Sequence, residues 1–291
     1  MTITAAGYVG IGSTSPGQKL TVAGTIESTS GGVKFPDGTT QTTAASAGSL
    51  PDNYLTGAIT LNSASDLNFS IDIQPGSAKS SSNNADIKLT TTLTKSINAP
   101  WSAGTGQGGR DTGAFSAGSW HVYLIKNTST NVVDATFSLS PTSPALPSGF
   151  TEFRRIASLM TTGSGFRAYI QNGDDFIFKA SAQDYYISGA SLGTNFLAYV
   201  GVPTGIKLKV TVQGYSQYLG SLDISSGDAD GHDPSSSNNV IGSPGTNAFT
   251  GSIGGVWTNT SGQIRVRSYG SQSAGAMLSF ATKSYSDLRG K

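Results

Sequence analysis

The chain has 291 residues, 18 basic against 17 acidic for a net charge of +1, no cysteine, and only 12% charged residues. The absence of cysteine excludes disulfides and thiolate metal sites. The balanced charge offers no basic stripe for nucleic acid, and no apolar run is long enough for a membrane-spanning helix or a signal-peptide core.

A chain of this size is able to bury roughly 75% of its unfolded surface, and its 12 Phe, 11 Tyr and 3 Trp argue against disorder despite the polarity. Residues 1–49 stand apart. Gly7-Tyr-Val-Gly-Ile-Gly12, Lys19-Leu-Thr-Val-Ala-Gly24 and Gly32-Val-Lys-Phe-Pro-Asp-Gly-Thr-Thr-Gln-Thr-Thr43 read as short strands cut off by Gly or Pro-Gly turns. Strands this short bury no core of their own. The segment is therefore expected to become stable when identical copies wrap around one another and share its apolar positions. Residues 44–53 read as a linker. Strands are expected over 58–61, 67–73 and 86–93, with an exposed loop over 74–84. Residues 101–118, containing Gly106-Gln-Gly-Gly-Arg-Asp-Thr-Gly113, read as a long Gly-rich loop.

Two hairpins between residues 120 and 178 organise the rest. Trp120-His-Val-Tyr-Leu-Ile125 carries large side chains on both alternating faces, the pattern of a strand covered on both sides. Residues 126–131 turn the chain, and 132–137 return. The second hairpin spans 166–171 and 174–178, with Asn172-Gly173 as its turn, since both residue types tolerate positive φ. Prolines 141, 144 and 147 make a rigid connection. A domain boundary is expected within 181–193. Beyond it, Ile206-Lys-Leu-Lys-Val-Thr-Val212 alternates strictly and predicts a half-buried antiparallel strand. Further strands are expected over 215–224, 247–253, 255–259, 263–269 and 276–282. The fold class is all-β: the intertwined segment 1–49, then two antiparallel sandwich-like domains at 50–188 and 189–291, the latter of jelly-roll type.

The run Val9-Gly-Ile-Gly12, Ser15-Pro16, Lys19-Leu20, Val22 and Gly24 resembles an element of bacteriophage tail-fibre and related trimeric adhesin-type proteins. The block from Gly32 to Thr43 resembles one that recurs in phage and prophage tail proteins. The likeness continues through Ile71-Asp72-Ile73, Asp86-Ile87, Leu93-Thr94-Lys95, Trp101, Gly108 to Gly113, Trp120 to Ile125, Arg154-Arg155-Ile156, Gln171-Asn-Gly-Asp174, Val256 to Arg267 and Asp287-Leu-Arg-Gly290. It departs from the family in the shortness of its shaft.

Among motifs with chemistry, Asp228-Ala-Asp-Gly-His-Asp233 is the sharpest. Asp228, Asp230 and Asp233 would offer oxygens to a hard cation such as Ca²⁺, with Gly231 turning the chain, although the spacing is not that of an EF-hand. An exposed acidic loop is the alternative. His121 reads as a packed strand residue, and His232 has no partner set of a nameable kind. No Gly-x-Ser-x-Gly elbow, Walker loop or dinucleotide fingerprint is present, and Gly104-x-Gly-x-Gly-Gly109 is a plain Gly-rich run. Asp174-Asp175, Asp184 and Asp223 are carboxylates from which a glycosidase pair would have to be drawn. Arg265, Arg267 and Tyr269 share a strand face, read as solvated or as contacting an acidic glycan or another subunit.

The composition fits extracellular or virion β-structure better than a cytosolic enzyme. With the resemblance it implies a non-enzymatic virion protein, made in the host cytoplasm: a homotrimeric short tail fibre or receptor-binding protein. It would bind other virion proteins through residues 1–49 and a host cell-surface glycan through its β-domains, without nucleic acid or membrane insertion. A capsid head fibre or cement protein is the alternative, and a glycan depolymerase the third.

Overall fold

The computed structural model describes residues 1–42, 48–188, 195–217, 221–229, 241–242, 249–269 and 276–289. Among these the chain is all-β, without a helix, and it divides into two compact units, Met1–Ser49 and Leu50–Lys291.

The first unit holds a three-stranded sheet, Thr2–Ile3, Val9–Ile11 and Leu20–Val22, and a separate pair, Val33–Lys34 with Thr40–Gln41. The Val9–Ile11 strand pairs antiparallel to the first and parallel to the third. Between the paired strands Thr39 donates its N–H and hydroxyl to Asp37 Oδ1 at 2.9 and 2.6 Å, and Gly38 takes φ +87°. Those bonds to the charged carboxylate hold the Asp37 pKa below its ordinary value. Gly10 and Pro16 are the buried residues of this unit among those described. Met1, Ile3, Ile11, Leu20, Ile26, Val33 and Phe35 are between 45% and 88% exposed.

The second unit is built on an eight-stranded sheet. Its strand order is Gly165–Phe166, Glu152–Thr162, Gly118–Lys126, Val133–Ser138, Gln107–Arg110, Leu93–Pro100, Asp66–Ile73 and Thr60–Ser63. Trp120 to Ile125 are buried on both faces, and Val122↔Phe137 and Leu124↔Ala135 set the register of the first hairpin. The sheet is mixed, because Gln107–Arg110 runs parallel to both of its neighbours. This strand lies inside the expected Gly-rich loop. It is possible because a Cβ at Gly108 would stand 2.0 Å from the Pro100 carbonyl oxygen, and one at Gly109 would stand 2.7 Å from the Phe137 ring. Glycine here marks a close approach of two backbones.

The second hairpin, Tyr169–Asn172 with Asp175–Phe178, belongs to another sheet. Asn172 pairs with Asp175, so the turn is Gly173-Asp174, one residue later than expected, with positive φ at Gly173 alone. That is a primed turn with Gly first. The sheet continues through Met277–Ser286, Lys209–Gln217 and Phe249–Trp257, and Gln183–Ser188 adds to it beside Met277–Ser286. Leu208, Val210 and Val212 point into the core as their alternation requires. A four-stranded sheet (Asn195–Tyr199, Gln263–Tyr269, Ser221–Ser225, Ile241–Gly242) and a three-stranded one (Asp86–Leu89, Gly76–Lys79, Leu55–Gly57) complete the unit.

The expected division into 50–188 and 189–291 is corrected by this pairing. Met277–Ser286 lies within a sheet whose members come from both sides of residue 188, and one continuous apolar core runs from Leu55 to Tyr285. Tyr285 carries the join: its ring stacks on Phe176 at 5.0 Å, and its hydroxyl donates to the Ser158 carbonyl at 2.6 Å. Thr60, Tyr169 and Gln171 make a second join. Gln171 Oε1 accepts from both the N–H and the hydroxyl of Thr60 at 2.7 Å, and the Tyr169 hydroxyl donates to Thr60 Oγ1 at 2.9 Å.

Candidate ligand-binding site

The acidic loop falls largely outside the described residues: Asp230, His232 and Asp233 lie there. Asp228 is described, half exposed and ion-paired to Lys207 at 2.6 Å. Among the described residues no cluster of three His, Asp or Glu side chains stands close enough to hold a metal.

His121 sits in the Gly118–Lys126 strand, 1% exposed, with Nδ1 2.9 Å from Ser158 Oγ. A serine beside a histidine invites a nucleophile reading, but Ser158 is fully buried and Arg155 Nη1 donates to the same oxygen at 2.6 Å. A substrate has no route to it. Burial first, and the Arg155 charge second, push the His121 pKa down from 6.5 to about 4, which leaves a neutral ring at ordinary pH.

Three of the four carboxylates considered for glycoside cleavage have a structural place. Asp174 accepts from Arg289 Nε at 2.8 Å, and Asp175 from the Ser286 hydroxyl. Asp184 pairs with Arg167 at 3.5 Å and accepts from the Thr282 N–H at 2.7 Å. Asp223 is the exception: it is buried, and its Oδ2 has no hydrogen-bond partner among the described residues. Arg265 donates to Asn195 Oδ1 at 2.8 Å, and Arg265 and Arg267 are both partly buried; the Tyr269 side chain lies outside the described residues.

No protein-family model, curated protein or solved structure matches the chain. The site therefore has to be read from its own geometry.

One of the cavities among the described residues, of about 280 Å³, is lined by Ser81, Tyr123, Pro141, Thr142, Arg154, Arg155, Ile206 and Arg289. Arg154 and Arg155 come from the Glu152–Thr162 strand. Consecutive strand residues point to opposite faces, yet both line this cavity. The pairing register with Gly118–Lys126 shifts beside them, between Val122 and Tyr123, and a bulge of this kind re-aims neighbouring side chains. Arg289 arrives after the last strand. Its backbone is left-handed (φ +54°), and its N–H donates to Asp287 Oδ1 at 2.8 Å.

The guanidiniums are held from behind. Arg155 Nη1 meets Asp287 Oδ2 at 2.5 Å, Arg289 Nη1 donates to the Gly57 carbonyl at 3.2 Å, and Arg154 Nη2 donates to the Asn53 carbonyl at 3.1 Å. The Tyr123 hydroxyl donates to the Ser140 carbonyl at 2.8 Å. Burial, then the charges of Arg155 and Arg289, lower the Arg154 pKa from its ordinary value. Sequence reasoning did not bring these residues together. Arg154-Arg155 and Arg289 appear in it only as parts of separate resembling runs.

Proposed function

We propose that the chain is a structural virion protein of a tailed bacteriophage, a short tail fibre or receptor-binding protein that recognises a host cell-surface glycan. The resemblance spread along most of the sequence motivates this reading. The observation that supports it best is the state of residues 1–42. A single copy leaves seven large apolar side chains 45–88% exposed, which is what a segment made to intertwine with two further copies would do. Those copies would give a trimer and attach it to other virion proteins. The β-rich second unit would then present rings such as Tyr186, Tyr199 and Trp257, 55%, 55% and 39% exposed, for stacking on sugars. Individually weak sites gain avidity from repetition on one particle.

Its test is competition. Host cells are incubated with purified full-length protein before phage is added, and adsorption is counted. Dose-dependent blocking is expected. Failure to block by an assembled oligomer would transfer the reading to a capsid head fibre or cement protein.

A further inference from the structure

We propose that the arginine-lined cavity between the Glu152–Thr162 strand and Arg289 is an oxyanion-binding site, taking the carboxylate, sulfate or phosphate group of an acidic sugar. The sugar identity rests on the glycan-recognition reading above, and the site itself does not.

The charge arrangement is the first argument. Three arginines line one small cavity, and no carboxylate lines it among the described residues. Asp174 and Asp287 hold Arg289 and Arg155 but stand outside the lining. Like charges crowded at a poorly hydrated wall repel one another, and an incoming anion relieves that repulsion.

The donors are the second argument. Arginine carries five N–H donors in a planar fork that matches oxyanions bidentately. Arg155 bonds its described partners through Nη1 alone, and Arg289 through Nε and Nη1. Each thus keeps an Nη2 with two donors for a ligand. Burial of these side chains along their length means the forks are already ordered, so little entropy is lost on binding.

Size and lining indicate what carries the anion. A cavity of about 280 Å³ lies at the lower end for small-molecule sites, enough for one sugar ring and not for an extended chain. Pro141, Ile206 and the Tyr123 ring offer an apolar wall to the C–H face of such a ring. The exposed hydroxyls of Ser81 and Thr142 stand at the rim, where sugar hydroxyls would meet them.

The test is titration calorimetry on the full-length protein with glucuronate, glucose and inorganic sulfate. Glucuronate is expected to bind, more weakly as salt is raised, and glucose is not. Sulfate binding as tightly as glucuronate would support the oxyanion site and overturn its assignment to a sugar. Absence of binding by either anion would overturn the site. Thr142→Glu places a carboxylate at the exposed rim without touching the buried arginines and should weaken glucuronate roughly tenfold or more. An unchanged affinity, with an unchanged melting temperature, would also overturn it. The adsorption assay separates the two readings: anion binding without blocking sinks the receptor role alone, and blocking that survives in Thr142→Glu sinks this cavity as the receptor contact alone.

Discussion

His121 shows how far a single residue's chemistry departs from what its type offers. Held neutral in the eight-stranded sheet against Ser158 and beside Arg155, it makes stability depend on pH in a definite direction. Below 6.5 the unfolded chain takes up a proton that the folded ring refuses until about pH 4. The unfolded state therefore gains as pH falls through that window, and stability drops by roughly 3 kcal/mol across it. His121→Gln keeps a polar partner for Ser158 and removes the titration. Urea denaturation at stepped pH should show a flatter acid limb in that variant. Equal limbs in the two proteins would show that His121 is not the group responsible.

At the scale of elements, the clasp around Lys95 explains why the Gly-rich segment is ordered. Lys95 is fully buried, and its Nζ lies 3.1 Å from Asp134 Oδ1, 5.3 Å from the Trp101 ring centre, and 2.6 and 3.2 Å from the carbonyls of Ser102 and Gly104. Asp134 Oδ2 accepts the Gly104 N–H at 2.8 Å. One ion pair thus ties two strands and the turn that leads into Gln107–Arg110. Desolvation lowers the Lys95 pKa, and Asp134 opposes that shift. Removing one partner strands a buried charge, so Lys95→Met should cost about 3–5 kcal/mol in urea denaturation. Adding Asp134→Asn should cost less than the sum of the two single changes. Strict additivity would mean the pair is not coupled. The expected loop over 101–118 shows what local pattern misses. Strand propensity counts Gly as a breaker, and only the nearness of Pro100 and Phe137 turns it into a requirement. Trp120 to Ile125 was legible for the opposite reason: bulk at every position, on both alternating faces, which burial on both faces explains directly.

At the scale of the molecule, the elements that join distant stretches were the least legible. Met277–Ser286 pairs with Asp175–Phe178 and Gln183–Ser188, about a hundred residues earlier, and no local signal announces a partner at that separation. The same closure brings Arg289 to Arg154 and Arg155, which is why the cavity could not be read from spacing. All-β character needed no such closure, since it follows from short alternating runs and turn residues along the whole chain. The first unit poses the remaining question of assembly. Its side chains Ile3, Ile11, Leu20, Ile26, Val33 and Phe35 are exposed in one copy, and each such side chain is worth roughly 1.5–3 kcal/mol when fully buried. Mutual burial among copies would thus be a strong driving force for a segment with almost no core of its own. Sedimentation equilibrium of the full chain should return a trimer, and the second unit, which has a separate core, should run as a monomer once residues 1–49 are removed. Replacing Ile11, Leu20 and Val33 together by Ser should shift the full chain toward monomer while leaving the unfolding of the second unit unchanged. A full chain that sediments as a monomer would leave those side chains without a partner of this kind, and the intertwined segment would have to be given up.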